Sequence, residues 1–211
     1  MTTLTQSDRI KTLMQHKIPT YLTEQEVKDI LRQPNKMTLL GKRDFAILLL
    51  MIETGIRRNE LCNLRREDLK VEGKKVWLYV WGKGGKQRKI PIKDLELIKS
   101  LQNYWERAGI INNPGEPMFL TIGKGGSKKA HSLGHEVVRG IIKKYAKLAK
   151  ISKNIHPHSL RHSFITLTLR KSGDLVAVQA LAGHRSIQST QIYLHTEDER
   201  MEKAIEKLVN S

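Results

Sequence analysis

Cysteine is nearly absent. Cys62 stands alone among 211 residues, so no intrachain disulfide can form and packing and hydrogen bonds must hold the fold, as suits a reducing cytoplasm. Long apolar runs are missing too. The longest, FAILLLMI at 45–52, has the length of a buried core helix and falls well short of the roughly 20 residues that a membrane span needs. The N-terminal residues show no charged stretch leading into an apolar stretch and a small-residue cleavage site, so nothing in them points to export. Acidic residues are the third shortage: 21 Asp and Glu face 38 Lys and Arg, for a formal net charge of +17. The excess runs along the whole chain, which implies a polyanionic partner, and nucleic acid suits it better than a membrane. The acids that are present, such as Asp44, Glu53, Glu60, Asp68 and Glu96, are scattered and form no carboxylate set for two-metal phosphoryl transfer.

The length is enough for one large domain or two small ones. Residues 1–20 are polar, end near a proline and read as an arm or linker. A capping box, TEQE from Thr23, starts a helix ahead of Val27, Ile30 and Leu31. A helix from about Lys42 to Thr54 is apolar on most sides and is stopped by Gly55. VWLYVW (76–81) and RKIPI (88–92), joined by GKGGKQ, read as a β-hairpin. Leu95, Ile98, Leu101 and Trp105 then return at helical spacing. A turn with Pro114, Gly115 and Pro117, a short apolar stretch MFLT and a second glycine-lysine loop, GKGGSKK, lead to a basic helix at about 132–150. Neither GKGG segment has the phosphate-loop pattern of nucleotide-binding proteins. A last helix, EDERMEKAIEKLV, has Met201, Ile205 and Leu208 on one stripe. The fold expected is mainly α with a small antiparallel β-sheet, an α+β arrangement.

Chemistry concentrates in residues 156–195, where His156, His158, His162, His184 and His195 share forty positions with Arg161, Arg170, Arg185 and Tyr193. The pairs His158/His162 and His131/His135 have the i, i+4 spacing of zinc ligands, yet Arg161 would repel a cation from the first and neither pair has the HExxH pattern, so no metal is expected. Arginine and histidine together instead suit an anion. Guanidinium forks take phosphate oxygens in pairs, and imidazole can move a proton. Several converging on one phosphodiester would stabilise a pentacoordinate transition state. Tyr193 can supply the missing nucleophile, since attack of its phenol on phosphorus would store the bond energy as a phosphotyrosine. Because only ~0.1% of a free phenol is ionised at neutral pH, it needs cationic or basic neighbours, and His184 and His158 are the candidates.

Five segments in order carry a family resemblance: TGIRRNEL (54–61), GKGGKQRKIPI (82–92), HPHSLRHSF (156–164), LAGH (181–184) and STQIYLH (189–195). Together they resemble the catalytic domain of the tyrosine recombinase (phage integrase) family, in the style of its Xer and transposon-integrase members. The resemblance implies the fold of that catalytic domain and site-specific cutting and rejoining of DNA through a 3′-phosphotyrosyl intermediate, with no cofactor. It makes Arg57 the first catalytic arginine with Glu60 as its supporting acid, Lys83 the general acid, His158 and Arg161 the second pair, His184 the third-position histidine and Tyr193 the nucleophile. Lys86, on the same loop as Lys83, remains open as the general acid. His162 is read as a packed histidine supporting Arg161, and Lys86, Arg88, Lys143 and Lys144 as DNA contacts. LAGH departs from the LLGH of many relatives by a small packing change.

The resemblance covers residues 21–211, and the separate helical core-binding domain with which most members begin is expected to be absent. Double-stranded DNA is the expected partner, with self-association on it as a dimer or tetramer. The rivals are nicking and rejoining alone, in the manner of a type IB topoisomerase, and a non-catalytic DNA-binding regulator on the same fold. The apolar stripe after Tyr193 suggests that 197–211 docks on a neighbouring protomer, the alternative being a helix that folds back on its own chain. Deleting 197–211 should weaken oligomerisation or cleavage and leave the domain folded; light scattering and cleavage that both match the full chain would reject this.

Overall fold

A capping box sets the first helix. Thr23 accepts from the Glu26 amide at 3.2 Å and its own amide donates to Glu26 Oε2 at 2.7 Å, which starts α1 at Glu24–Leu31. The second helix, α2, spans Leu39–Thr54 and begins earlier than the apolar run suggests. The reason is local: the Thr38 hydroxyl accepts from the Gly41 amide at 3.0 Å and caps the turn before the run. The computed structural model describes residues 19–82, 84–123 and 128–183, and Thr20–Gly183 cluster as one compact unit. The expected N-terminal arm and the expected last helix at 197–211 lie outside the described residues, apart from Pro19 and Thr20.

From Phe45 to Ile52 every residue of α2 is buried, so this helix is the centre of the core. α3, Arg58–Asn63, is short and follows Gly55 after only two residues. A three-residue 3₁₀ turn, Arg66–Asp68, leads into a three-stranded antiparallel sheet of β1 (Leu69–Glu72), β2 (Lys75–Trp81) and β3 (Gln87–Ile92), in that order. The β2–β3 hairpin agrees with the sequence reading, whereas β1 adds a strand with no apolar alternation strong enough to announce it. Leu78, Val80, Ile90 and Ile92 point into the core, and the register pairs Leu78 with Ile90 and Val80 with Arg88.

α4, Leu95–Ala108, packs on α2 through Leu97, Leu101, Tyr104 and Trp105. β4 (Leu120–Ile122) pairs antiparallel with β5 (Lys128–Ser132), whose first two residues come from the second glycine-lysine stretch. Pairing of 128–132 delays α5, which runs His135–Leu148. α6, Pro157–Ser172, starts with proline at its first position, where the missing N–H removes no helical bond, and buries Leu160, Phe164, Ile165 and Leu169. Asp174 caps α7, Leu175–Ala182, by accepting from the Ala177 amide at 2.9 Å.

A buried polar cluster fixes α2 against α5 and β4. Arg43 donates to Asp44 Oδ1 from Nε and Nη2 at 3.0 and 2.8 Å and to the Leu120 carbonyl at 3.2 Å, and the Tyr145 hydroxyl donates to Asp44 Oδ2 at 3.0 Å. Every member has a partner, as burial demands. Among the described residues no helix is long and apolar enough to cross a membrane.

Gly55 shows how tightly α2 meets α6. Its φ is +58°, and a Cβ there would lie 2.3 Å from Phe164 Cδ1. Gly55→Ala should therefore lower the unfolding free energy by about 3 kcal/mol, combining left-handed strain with overpacking. Urea denaturation measures this; a loss under about 1 kcal/mol would mean that the ring moves aside freely.

Candidate active site

Three elements deliver three arginines to one place, the C-terminal end of α7. Arg57 is the N-cap residue of α3, presented just after the left-handed Gly55 ends α2. Its Nη2 donates to the Gly183 carbonyl at 2.9 Å. Arg161, on the buried face of α6, donates from Nη2 to the Ala182 carbonyl and from Nη1 to the Gly55 carbonyl, both at 2.6 Å. Arg88, on β3, donates from Nε to the Leu181 carbonyl at 3.3 Å. Orphan carbonyls and the negative end of a helix dipole attract cations there.

Glu60 sits among them with its side chain only 6% exposed. Arg57 reaches it twice, with Nη1 to Oε1 at 3.0 Å and its amide to Oε2 at 2.8 Å. Arg88 closes on both oxygens as a fork, 2.8 Å each. Burial works to raise the Glu60 pKa, but the bonds from Arg88 and the Arg57 amide outweigh it and hold the carboxyl below its ordinary value. Exposure rises outward from this carboxylate: Arg88 is 16% and Arg57 38% exposed. Gly183 favours the closure. Its φ is +67°, and a Cβ would come within 3.0–3.2 Å of Arg88 Cδ, Nε and Cζ.

His158 is exposed on the first turn of α6, its ring 6.2 Å from that of His156. Burial first, then the charges of His156, Arg161, Arg58 and Arg57, push its pKa below the usual histidine value. His162, one turn deeper and half-buried, is pushed to about 4, again by burial first and then by His158, Arg161 and His156. The structure thus brings together Arg57, Glu60, Arg161, His158 and His162 from the sequence reading. Lys83, His184 and Tyr193 lie outside the described residues.

The four expected DNA contacts divide. Lys86 is exposed in the β2–β3 turn, which the Gly82 amide closes by donating to the Lys86 carbonyl at 2.8 Å. Lys143 and Lys144 are exposed on α5, with the Lys144 ammonium 4.7 Å from the centre of the Tyr145 ring. Arg88 instead turns inward to Glu60 and Leu181. Strand alternation carried that signal, since Arg88 has the same parity as the buried Ile90 and Ile92. Among the described residues no group of three or more His, Cys, Asp or Glu side chains is placed to hold a metal ion.

Comparison with known proteins identifies the family of the chain. The model of the phage integrase family matches residues 20–200. A tyrosine recombinase of Pseudothermotoga lettingae is 35% identical over 196 residues, covering 93% of this chain and 63% of that protein. The tyrosine recombinase XerA of Pyrococcus horikoshii is 37% identical over 190 residues, covering 90% and 61%. The chain therefore spans less than two thirds of the length of these relatives. Among solved structures, the XerH site-specific recombinase bound to palindromic difH substrate, in a post-cleavage complex, superposes with a TM-score of 0.75 at 26% identity over 90% of this chain and 53% of that one.

The histidines give the site a pH signature. The folded pKa of His162 lies below its unfolded value, so the unfolded chain takes up a proton first as pH falls. Its contribution is whole above pH 6.5 and is lost progressively down to about pH 4. His162→Asn should flatten the fall in melting temperature across that window; an unchanged slope would assign the loss to other groups.

Proposed function

The chain belongs to the phage integrase family, and from that footing we propose that it cuts and rejoins double-stranded DNA by site-specific recombination. The observation that carries the proposal is the convergence of Arg57 and Arg161 on the residues immediately before His184, with His158 amid their charges.

In this reading the Tyr193 oxygen attacks the scissile phosphorus. The new O–P bond forms as the bond to the 5′ oxygen breaks, leaving a 3′-phosphotyrosine and a free 5′-hydroxyl. Arg57 and Arg161 stabilise the charge that gathers on the equatorial oxygens; loss of one such donor typically costs on the order of 10²–10³ in rate. His158, kept uncharged at neutral pH by its lowered pKa, can accept the phenol proton or hydrogen-bond the phosphate, and His184 has the same choice. Lys83 gives a proton to the leaving 5′ oxygen, with Lys86 the substitute on the same loop. Glu60 holds the Arg57 guanidinium in plane, and His162 supports Arg161. Lys143 and Lys144 contact backbone phosphates outside the scissile position.

Attack by a 5′-hydroxyl from a partner strand reverses the step, and the phosphotyrosine keeps the bond energy, so the scheme needs no metal or nucleotide. Pairs of protomers assemble on the DNA as dimers and tetramers, with residues 21–211 as the catalytic domain and 197–211 exchanged between neighbours. The single buried cysteine suits work in the cytoplasm.

The test is covalent capture. The chain and its Tyr193→Phe variant are incubated with a pool of nicked duplexes randomised in their central segment, denatured, and scored for DNA attached to protein. The wild type alone should give an adduct. Equal adducts from both would reject Tyr193, and tight binding with none from either would favour a DNA-binding role.

A further inference from the structure

Arg88 is the one arginine of the cluster with no part in the reaction just described, although its contacts are closely constrained. Both oxygens of a buried carboxylate take its fork at 2.8 Å, its Nε reaches the Leu181 carbonyl, and Gly183 leaves room for it by lacking a Cβ. It stands on β3, whose turn carries the glycine-lysine loop, and it touches the end of α7, where the chain proceeds to His184. Glu60, which it grips, is the residue that grips Arg57 twice.

We propose that Arg88 is a positioning residue rather than a DNA contact: it orients Arg57 through Glu60 and ties the lysine-bearing hairpin to the start of the segment that leads to Tyr193. The inference rests on the proposed cleavage chemistry. Three features support it. Arg88 at 16% exposure is less accessible than Arg57 at 38%, so a phosphate reaching the cluster meets Arg57 first. A bidentate fork fixes a carboxylate in two dimensions, whereas a lysine in its place could bind only as a point charge. Without Arg88, its hydrogen bonds and charge no longer oppose burial at Glu60, so the carboxyl titrates at higher pH and, once protonated, loses much of its hold on Arg57.

The same arrangement separates positioning from DNA contact. A side chain bound to a phosphate releases about 0.9 of a counterion, so its removal makes the plot of log affinity against log salt shallower by about that amount. A positioning residue leaves the slope alone and changes the rate.

The experiment uses the full 211-residue chain, Arg88→Lys and Arg88→Met. It reads single-turnover adduct formation on duplexes captured by the wild type, duplex affinity at several salt concentrations, and the Glu60 carboxyl titration by carbon-13 NMR. For Arg88→Lys we expect an unchanged salt slope, affinity within about 3-fold, and adduct formation slower by roughly 10–100-fold at saturating DNA, the range for a misaligned site. The acid limb of the rate profile should shift to higher pH in step with the Glu60 titration. Arg88→Met should go further in the same direction; if it fails to fold, Arg88→Lys decides alone. A slope shallower by about 0.9 with a matching loss of affinity would make Arg88 a phosphate contact and overturn the inference. A wild-type rate, or a Glu60 titration unmoved in a folded variant, would overturn it as well. Should the wild type itself form no adduct, the proposed chemistry fails, while the salt slope on a mixed-sequence duplex and the Glu60 titration still judge Arg88.

Discussion

Three consecutive carbonyls, those of Leu181, Ala182 and Gly183, accept from Arg88, Arg161 and Arg57 in turn. The rest of the site depends on this clamp. The end of α7 cannot satisfy these oxygens within the helix, so it offers a row of acceptors with a partial negative charge. A strand, a buried helix and a short helix's N-cap each supply one guanidinium, and charge-assisted bonds of this kind contribute about 1.5–3 kcal/mol apiece. The positions of the three arginines are thus referred to a common edge. Gly183 is what lets that edge sit so close, because its left-handed backbone turns the chain where a side chain would strike Arg88.

The frame behind the clamp is held by polar groups of the same types in a different setting. Arg43, Asp44 and Tyr145 form a closed cluster between α2 and α5, in which the Tyr145 pKa is driven far upward by burial first and by Asp44 second. Its hydroxyl stays protonated and works as a donor. Tyr104 is similar: burial pushes its pKa to about 12 while it accepts from the Leu120 amide at 2.9 Å. Neither phenol is suited to attack a phosphate. In both cases burial keeps the phenol protonated, the opposite of what a nucleophilic tyrosine needs.

Much of this was readable from the residues. The capping box at Thr23, the buried run of α2 and the hairpin between Trp81 and Gln87 are local signals, and local physics alone settles them. Arg57, Glu60, His158 and Arg161 were legible because their motifs occur in order. What escaped was tertiary. β1 is exposed along most of its length and becomes a strand only because β2 offers its free edge. β5 pairs with β4 although its first residues, Lys128 and Lys129, belong to a glycine-lysine stretch that reads as a loop. Arg88 reads as one more surface cation in a basic chain, and only its parity with Ile90 and Ile92 says that it faces inward. The partner that makes an inward arginine tolerable, Glu60, is 28 residues away, beyond the reach of any periodicity.

Charge balance then explains why a single acid belongs here. Arg57, Arg88 and Arg161 contribute three positive charges, Glu60 removes one, and the cluster keeps two. Without the carboxylate, three guanidiniums drawn to adjacent carbonyls would repel one another in a partly buried site, where screening is weak. A ground-state phosphodiester carries one negative charge, and the pentacoordinate state formed by an attacking phenolate carries two. In the proposed reaction, the positive charge that the three arginines keep beyond Glu60 would be felt more strongly by the transition state than by the substrate, which is the condition for binding energy to appear as rate.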